Sequence, residues 1–381
     1  MKEAKILIVG AGPAGFAAAK AAAKRSDGVV LCGSEAYAPY WRTRLPAVIG
    51  EETAIENISM VKDGWFEKNN IRFVSKMTMA SVDTENNRVF WTDGTYTGYQ
   101  KLILALGAYS FVPPINYQGE VLCLRDYDDA LAIRKKALEK KRSVVIGGGL
   151  LGLEIASEIR KLGKPVTVIE RDYVLARQLD PLGGEYLAQK LTDDNLKIIT
   201  GADASDYPEL LEDSCVVVAA GVRSNIKVLQ NTPIKLQRAV VVNDRMQTSV
   251  DNIYACGDIA EYNDKCWGLI TIANVQGNVA GSNAAGTDLL YRELLPAPTL
   301  KVSGISIMSM GEIYEAKNRK LLRYSDADLY QSFVIENNRL IGAILIGDIS
   351  LGFKIKKLIE KKVDIPSEIT RNELVELIAG L

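Results

Sequence analysis

The chain has 381 residues, of which 48% are apolar and 24% charged, enough material for two or three domains with sizeable cores. Lys and Arg total 46 against 47 Asp and Glu, and this net charge of -1 argues against nucleic acid as a partner. The sequence contains no histidine, which excludes His-dependent triads, His-ligated zinc and imidazole proton transfer, and we expect no metal site.

The first predicted element is a short apolar strand that leads into a glycine-rich turn and an alanine-rich helix. The turn is Gly10-Ala-Gly12-Pro13-Ala14-Gly15. Glycines in this pattern allow a tight turn and a close approach of the backbone to a pyrophosphate at the helix N-terminus. A second predicted strand ends at Glu35, whose carboxylate can accept hydrogen bonds from ribose hydroxyls. The glycines also interrupt the apolar stretch 6–19, so it predicts no membrane span, and we expect a cytoplasmic protein.

Further short strands follow, and then the whole pattern repeats. Segments 71–75, 78–83, 88–92 and 101–107 are predicted strands. The second copy is Gly147-Gly-Gly149-Leu150-Leu151-Gly152, followed by a helix and by a strand ending at Glu170. Two complete copies in one chain predict two bound dinucleotides. A carboxylate at position 170 favours a free 2′-hydroxyl, and hence NADH over NADPH, although Arg171 could meet a 2′-phosphate.

The remaining sequence returns to strands and then to a smaller domain. Predicted strands end at Gly221 and at Gly257-Asp258, and helical sequence runs from about Asn274 to Leu290. Pro296-Ala-Pro298 marks a linker. Beyond it, strand-like runs at 300–307, 329–336 and 340–346 precede two helices, which predicts a separate α+β domain.

The five cysteines are scattered along the chain and include no Cys-x-x-Cys pair. This pattern favours a reducing compartment over a disulfide framework. Each cysteine is expected to be a small buried apolar residue.

With both glycine motifs and the Gly257-Asp258 strand end, the chain resembles the pyridine-nucleotide:disulfide oxidoreductase superfamily over essentially its full length. Within it, segments 39–45, 300–306 and 346–352 are most similar to the NADH:rubredoxin oxidoreductase group. The resemblance implies an α/β fold with two Rossmann-like dinucleotide-binding domains, for FAD and NAD, plus a small C-terminal α+β domain. It implies an FAD-binding domain at 1–110 and 226–297, an NAD-binding domain at 111–225 and the C-terminal domain at 298–381. Segment 200–215 is too short for the three-stranded meander that is usual in the NAD domain of this family, and we expect an abbreviated loop or helix there.

The resemblance also implies which residues meet the cofactors, and it leaves the chemistry to the flavin, with no catalytic side chain. Asp258 would bind the ribityl chain, Glu35 the adenosine ribose, and Glu154 would lie near the nicotinamide. Ile272 and Ala273 would open a helix whose dipole points at the flavin. The residues implied for FAD are Gly10, Gly12, Pro13, Ala14, Gly15, Glu35, Arg42, Met79, Gly107, Arg125, Asp258, Ile272 and Ala273. Those implied for NAD are Gly147, Gly149, Leu150, Leu151, Gly152, Glu154, Glu170 and Gly221.

The cysteine pattern bears on the electron acceptor. Disulfide reductases of this superfamily need a redox cysteine pair after the first unit, or one cysteine near position 43, and that position holds Thr43. We therefore expect electrons to leave the flavin singly and directly. The favoured acceptor is rubredoxin or a similar small acidic carrier. Arg42, Arg44 and the lysines of 354–362 are the candidate docking patch for it, and the alternative for these lysines is an ordinary solvated helix face. The alternatives are an NADH oxidase, a reductase for ferredoxin or for a nitrite-reductase module, and a redox sensor without enzymatic turnover.

Overall fold

A computed structural model describes residues 3–193, 195–293 and 295–380. The outermost positions of the predicted domains, 1, 2 and 381, lie outside the described residues. The strands are β1 (Glu3–Val9), β2 (Val29–Cys32), β3 (Ile71–Val74), β4 (Met79–Asp83), β5 (Arg88–Trp91), β6 (Tyr96–Leu104), β7 (Ala108–Ser110), β8 (Val121–Leu122), β9 (Arg142–Ile146), β10 (Val166–Ile169), β11 (Leu196–Ile199), β12 (Ser214–Val218), β13 (Val222–Ser224), β14 (Val240–Val241), β15 (Ile253–Ala255), β16 (Ala260–Glu261), β17 (Thr299–Val302), β18 (Ile305–Gly311), β19 (Arg319–Ser325), β20 (Tyr330–Glu336) and β21 (Arg339–Ile346). The α-helices are α1 (Pro13–Ala23), α2 (Leu45–Glu51), α3 (Trp65–Lys68), α4 (Tyr127–Glu139), α5 (Leu150–Lys161), α6 (Pro181–Leu191), α7 (Pro208–Leu211), α8 (Ile270–Ala284), α9 (Gly352–Lys361) and α10 (Arg371–Gly380).

The described residues form two compact units. The first unit takes them from 1–45, 53–110 and 222–293, and the second takes them from 46–52, 111–221 and 294–381. The bounds of the three domains proposed from the sequence stay a prediction. In the described part of the chain, no helix is long and apolar enough to cross a membrane.

The first unit is built on a parallel sheet with the strand order β3-β2-β1-β6-β15, and β5 and β4 continue antiparallel from β6. The run from Ile6 to Val9 is apolar and buried, as expected for a parallel strand covered on both faces. Helices α1 and α8 pack closely because glycines of α8 face α1. A Cβ on Gly277 would lie only 2.2 Å from the carbonyl oxygen of Ala14.

The second unit repeats this architecture. Its parallel sheet has the strand order β11-β10-β9-β12-β8. Its first four strands match β3-β2-β1-β6 one for one, whereas the fifth position is held by β8, which precedes β9 in the chain, and in the first unit by β15, which follows β6. The sequence repeat is therefore a structural repeat, and the prediction of two Rossmann-like folds is confirmed.

A separate antiparallel sheet follows in the second unit, with the order β17-β18-β21-β20-β19. Phe333 and Leu345 of this sheet are fully buried against Ile355 of α9 and Leu374 of α10. This confirms the predicted C-terminal α+β fold.

Three predicted elements differ from the structure. The helix predicted from Asn274 is α8, which begins at Ile270 and ends at Ala284, because burial of its first turn overrides the strand preference of Ile270-Thr-Ile. The run 300–307 is two strands, divided by a turn at Ser303-Gly304 with positive φ at both residues. Strand β19 has no predicted counterpart, since charged residues interrupt its apolar pattern. In 200–215 the structure has a 3-10 turn at Ala204–Asp206 and the short α7, which confirms an abbreviated segment.

Candidate functional site

The turn between β1 and α1 can be built only with glycine at two positions. Gly10 has φ +110°, and a Cβ there would lie 2.0 Å from the Ala105 carbonyl oxygen. A Cβ on Gly15 would lie 1.8 Å from the Gly10 carbonyl oxygen. Gly12 is the N-cap of α1 and provides no side-chain hydrogen bond to it. The first N–H groups of the helix are thus left to a ligand, as a pyrophosphate requires.

The turn between β9 and α5 has the same construction. Gly147 has φ +115°, and a Cβ there would lie 2.5 Å from the Ala219 carbonyl oxygen. A Cβ on Gly152 would lie 1.9 Å from the Gly147 carbonyl oxygen. Gly149 is the N-cap of α5, again with no side-chain hydrogen bond, and Leu150 and Leu151 open the helix. Both cradles therefore fit a dinucleotide pyrophosphate.

Glu35 lies beyond the end of β2, in a small polar cluster beside the first glycine turn. Its two carboxylate oxygens accept hydrogen bonds from the Tyr40 hydroxyl and from the Arg42 guanidinium. The Arg42 guanidinium also lies over the Tyr40 ring, 5.1 Å from its centroid. The place where a Gly12 Cβ would be is 3.7 Å from Arg42 Nε. The structure thus brings three predicted residues, Glu35, Arg42 and Gly12, to one place.

The late Gly-Asp turn packs against the start of α1. A Cβ on Gly257 would lie 2.7 Å from the Ala14 Cβ. Asp258 lies in the 3-10 turn Gly257–Ile259, and its carbonyl accepts a hydrogen bond from the Ser224 hydroxyl at 2.6 Å. Gln276 of α8 accepts a hydrogen bond from the Gly257 N–H at 2.9 Å. Asp258 and the beginning of α8 are therefore held beside the first glycine turn.

The structure corrects the expected place of two residues. Ile272 and Ala273 lie in the first turn of α8 but do not open it, because the helix begins at Ile270 and its N-cap is Leu269.

Met79 opens β4 and is buried, and Gly107 has φ +65°, a conformation that glycine adopts without strain. Both lie in the first unit.

Arg125 belongs to the second unit, where it precedes α4. Its N–H donates to the Asp129 carboxylate at 2.8 Å as part of the cap of that helix. Gly221 ends the segment after β12, with φ +103°. The contacts of these residues with a cofactor stay predictions.

Glu170 follows β10 and points its carboxylate into the second glycine turn. Glu170 Oε2 accepts a hydrogen bond from the Gly148 N–H at 2.5 Å, and Oε1 accepts one from the Asp172 N–H at 3.1 Å. The neighbouring Arg171 turns to the short segment that follows β11, where its guanidinium forms an ion pair with Asp203. Sequence reasoning missed Asp203 because residues 171 and 203 meet only in the folded chain.

Glu154 lies in α5, one turn before Glu158. Burial, with a smaller contribution from the Glu158 charge, raises the pKa of Glu154 to about 7. Glu158 Oε1 accepts a hydrogen bond from the Lys161 ammonium at 2.7 Å. Within the described structure, Glu154 is thus a carboxyl that titrates near neutral pH in a chain without histidine.

The cysteines are free thiols and differ in burial. Cys32, Cys215 and Cys256 are buried, and burial raises the thiol pKa to about 12, 11 and 12, respectively. Cys123 is partly buried, and Cys266 is exposed, so the expectation of burial is wrong for Cys266. Buried thiols of high pKa are poor nucleophiles. Among the described residues, no three Cys, Asp or Glu side chains gather as a metal site.

Comparison with known proteins extends this geometry. Residues 4–277 match the pyridine nucleotide-disulphide oxidoreductase family, and residues 296–363 match the rubredoxin NAD+ reductase C-terminal domain. The chain is 43% identical over 361 residues to the NADH-rubredoxin oxidoreductase of Clostridium acetobutylicum, covering 94% of this chain and 95% of that protein. It is 31% identical to a nitrite reductase [NAD(P)H] of Bacillus subtilis, covering 99% of this chain but 49% of that protein.

A solved structure agrees with the sequence matches. The crystal structure of NADH:rubredoxin oxidoreductase from Clostridium acetobutylicum superposes with a TM-score of 0.93 at 41% identity, covering 99% of this chain and 100% of that chain. The sequence match, the solved fold and the two glycine cradles agree. The chain therefore belongs to the pyridine nucleotide-disulphide oxidoreductase family and carries the C-terminal domain of rubredoxin NAD+ reductases.

Proposed function

We propose that this protein is a flavoprotein reductase that passes electrons from NADH through FAD to rubredoxin. The observation that carries the proposal is the likeness to an NADH-rubredoxin oxidoreductase, which extends over 94% of this chain and includes the C-terminal domain. The two glycine cradles supply a site for each dinucleotide. When bound, FAD supplies the link between a two-electron donor and a one-electron carrier.

The first unit would hold FAD through groups that its fold already arranges. The free N–H groups at the start of α1 would bind the pyrophosphate, and the α1 dipole favours its charge. Glu35 would accept hydrogen bonds from the adenosine ribose, and Arg42 beside it would neutralise phosphate charge. Asp258 would bind the ribityl hydroxyls, and the first turn of α8 would face the flavin ring with its positive dipole end. We also retain Met79, Gly107 and Arg125 as proposed FAD contacts.

The second unit would hold NADH in the matching way. The N–H groups after Gly149 would bind its pyrophosphate, and Glu170 would accept hydrogen bonds from the adenosine ribose. Glu154, in the second turn of the same helix, would lie near the nicotinamide, with Gly221 lining the same cradle. Hydride transfer needs proximity and alignment of the two rings and no general base, so the absence of histidine is no obstacle.

The thiols argue against a cysteine relay. Position 43 is threonine, and three of the five cysteines are buried thiols whose pKa is well above neutral. A thiolate intermediate is therefore disfavoured, and so are disulfide reduction and sulfenate-based oxygen chemistry. A direct route from flavin to a one-electron carrier remains.

We propose two basic segments as docking places for an acidic carrier. Arg44 is exposed on the 3-10 turn Arg42–Arg44 of the first unit, beside exposed Trp41. In the second unit, α9 exposes Lys357 together with Phe353, whose exposed fraction is 72%. Positive charge around an exposed aromatic ring suits a transient complex with an acidic protein.

One alternative has the support of a specific observation. The likeness to a nitrite reductase over half of that protein's length favours, as second candidate, a reductase module for another electron carrier. Oxygen is the other acceptor to exclude, since any exposed reduced flavin loses electrons to it. A redox sensor would be reduced by NADH yet transfer electrons poorly to every acceptor.

The experiment is a single-turnover test in which oxygen is excluded from every mixture except the one that tests it as acceptor. The FAD-loaded protein is reduced by one equivalent of NADH and mixed with oxidised rubredoxin, with ferredoxin or with air-saturated buffer, and flavin reoxidation is followed. We expect rubredoxin to reoxidise the flavin at least about tenfold faster than the other two, which corresponds to 1.4 kcal/mol in the barrier. Equal rates with ferredoxin or oxygen would contradict the acceptor assignment.

We also propose the three domain bounds given in the sequence analysis. We further propose that the protein acts in the cytoplasm. Support comes from the five free cysteines, which suit a reducing compartment.

A further inference from the structure

We propose that Asp203 is a specificity-determining residue: it occupies the Arg171 guanidinium and thereby keeps the second glycine cradle selective for NADH over NADPH. The proposal rests on the function proposed above, which assigns that cradle to the nicotinamide dinucleotide.

Arg171 lies at a position from which a positive charge would bind the 2′-phosphate of NADPH. Its neighbour Glu170 directs its carboxylate to the Gly148 N–H, which is the side where the adenosine ribose of a bound dinucleotide lies. A guanidinium one residue further along can bind two phosphate oxygens at once. Taken alone, Arg171 would therefore favour NADPH.

The structure gives this arginine another partner. Arg171 Nε donates a hydrogen bond to Asp203 Oδ2 at 2.6 Å, and the terminal nitrogen of the guanidinium reaches the same oxygen. Both side chains lie in the second unit. The ion pair thus occupies one of the two edges through which a guanidinium binds a phosphate, and it neutralises the charge of the arginine.

Asp203 is itself fixed in place by the short segment after β11. Its Oδ1 accepts a hydrogen bond from the Ser205 N–H at 2.9 Å and caps the 3-10 turn Ala204–Asp206. Its own N–H donates to Asp206 Oδ2 at 3.2 Å. The hydrogen bonds from Ser205, together with Arg171, hold the pKa of Asp203 below its usual range. The carboxylate is therefore charged and oriented before any nucleotide binds.

Both consequences of this arrangement disfavour a 2′-phosphate. The Asp203 charge neutralises the nearest arginine, and it adds to the negative charge of Glu170 around the ribose. Arg171 is largely exposed, with 64% of its side chain accessible, and ion pairs of this kind are weak. A change in cofactor preference of about two- to fivefold is therefore the expected size of the effect.

The test uses Asp203→Asn in the FAD-loaded protein. Asparagine keeps the size of the side chain and its ability to cap the turn, while the charge is lost. Calorimetry would measure the affinity for adenosine 2′,5′-bisphosphate and for 5′-AMP, and stopped-flow absorbance would give flavin reduction by NADPH and NADH. We expect the bisphosphate affinity and the NADPH-to-NADH ratio to rise about two- to fivefold, with AMP affinity unchanged.

Asp206→Asn is the matched control, because Asp206 carries the same charge in the same turn and lacks the ion pair with Arg171. It should leave the ratio unchanged. In the double variant Arg171→Ala, Asp203→Asn, the gain should disappear. An unchanged ratio in Asp203→Asn, an equal gain in Asp206→Asn, or a gain that survives in the double variant would each overturn the proposal.

A further variant covers the case in which Asp203→Asn does not fold. Asp203→Ser also keeps a side-chain oxygen that can cap the turn and removes the charge, so it should raise the NADPH-to-NADH ratio in the same way. An unchanged ratio in Asp203→Ser would overturn the proposal. If NADH does not reduce the flavin of the unmodified protein, the proposed function fails instead, so the two failures are distinguishable.

Discussion

Glu154 is the residue whose protonation the fold changes most visibly near neutral pH. Its carboxyl has an ordinary pKa of 4.5, and burial beside Glu158 raises it to about 7. Between these values the native protein keeps a proton that the unfolded chain has released. Stability must therefore fall as pH rises through this window and become independent of this group above it.

A Glu154→Gln variant tests that sign. The amide carries no charge, so the variant should gain stability over the unmodified protein as pH rises from 5 to 8, by no more than about 3 kcal/mol. Urea unfolding of the FAD-loaded protein at both pH values measures the difference. Glu376→Gln, at an exposed position of α10, is the control and should show no pH-dependent difference. Parallel pH profiles for Glu154→Gln and the unmodified protein would refute the assignment.

Substitutions at two glycines of the second cradle separate an effect on stability from an effect on NADH binding. A Cβ on Gly152 would collide with the Gly147 carbonyl oxygen, whereas nothing lies within 4 Å of a Cβ on Gly149. Gly152→Ala should therefore destabilise the protein by about 1–3 kcal/mol and also abolish NADH binding. Gly149→Ala should fold normally and lose only NADH affinity, because its methyl group enters the space of the pyrophosphate. Thermal unfolding and NADH titration of both variants check this, and normal NADH affinity in Gly149→Ala would count against the cradle.

At the residue scale, the sequence was sufficient to predict the role of a residue where steric contacts allow only glycine. Gly10, Gly15, Gly147 and Gly152 stand in a pattern that only glycine can fill, so their roles were predictable. The partners of Glu35 and Arg171 were not, because Tyr40 and Asp203 are ordinary residues until folding brings them to these side chains.

At the element scale, α6 is tied to the C-terminal sheet through one buried carboxylate. Asp180, the N-cap of α6, is 1% exposed. It accepts hydrogen bonds from the Tyr330 hydroxyl at 2.8 Å, from Arg323 Nε at 3.0 Å and from the Gly183 N–H at 2.9 Å. Such a network is costly to break, since removal of the carboxylate leaves the Tyr330 hydroxyl and the N-terminus of α6 without this acceptor and leaves Arg323 with Glu315 as its ion-pair partner.

We therefore expect Asp180→Ala to lower the free energy of unfolding by about 3–5 kcal/mol. Asp364→Ala removes the exposed ion pair between Arg339 and Asp364 in the same unit and should cost less than about 1 kcal/mol. Urea unfolding of the two variants compares them directly. Similar losses in both would show that burial does not strengthen the Asp180 network.

Helix α9 carries the prediction on carrier docking. Attraction between opposite charges speeds association and weakens as salt screens it. Lys357→Glu should thus lower kcat/KM for rubredoxin about three- to tenfold at low ionic strength, with little effect at high salt. Flavin reduction by NADH should not change, and Arg44→Glu should act in the same way.

Lys317→Glu is the matched control, since it reverses an exposed charge outside both basic segments. It should leave rubredoxin kinetics within about twofold of the unmodified protein. Unchanged rubredoxin kinetics at low salt in Lys357→Glu and Arg44→Glu would remove both segments as docking places.

Across the whole molecule, one architecture is used twice. The strand orders β3-β2-β1-β6 and β11-β10-β9-β12 coincide, and the repeat was predictable because each copy kept its strand, glycine turn, helix and distal acid. The start of α8 and the strand β19 were not predictable from local pattern. Burial decides the first, and pairing with β20 decides the second.

The central claim is that electrons enter in pairs from NADH and leave singly to rubredoxin. Its most direct test is the stoichiometry without oxygen: catalytic amounts of the FAD-loaded protein, limiting NADH and excess oxidised rubredoxin, followed by absorbance. We predict that two rubredoxins are bleached for each NADH consumed, much faster than with NADPH. NADH consumed without bleaching of rubredoxin, or flavin reduced while rubredoxin stays oxidised, would contradict the account.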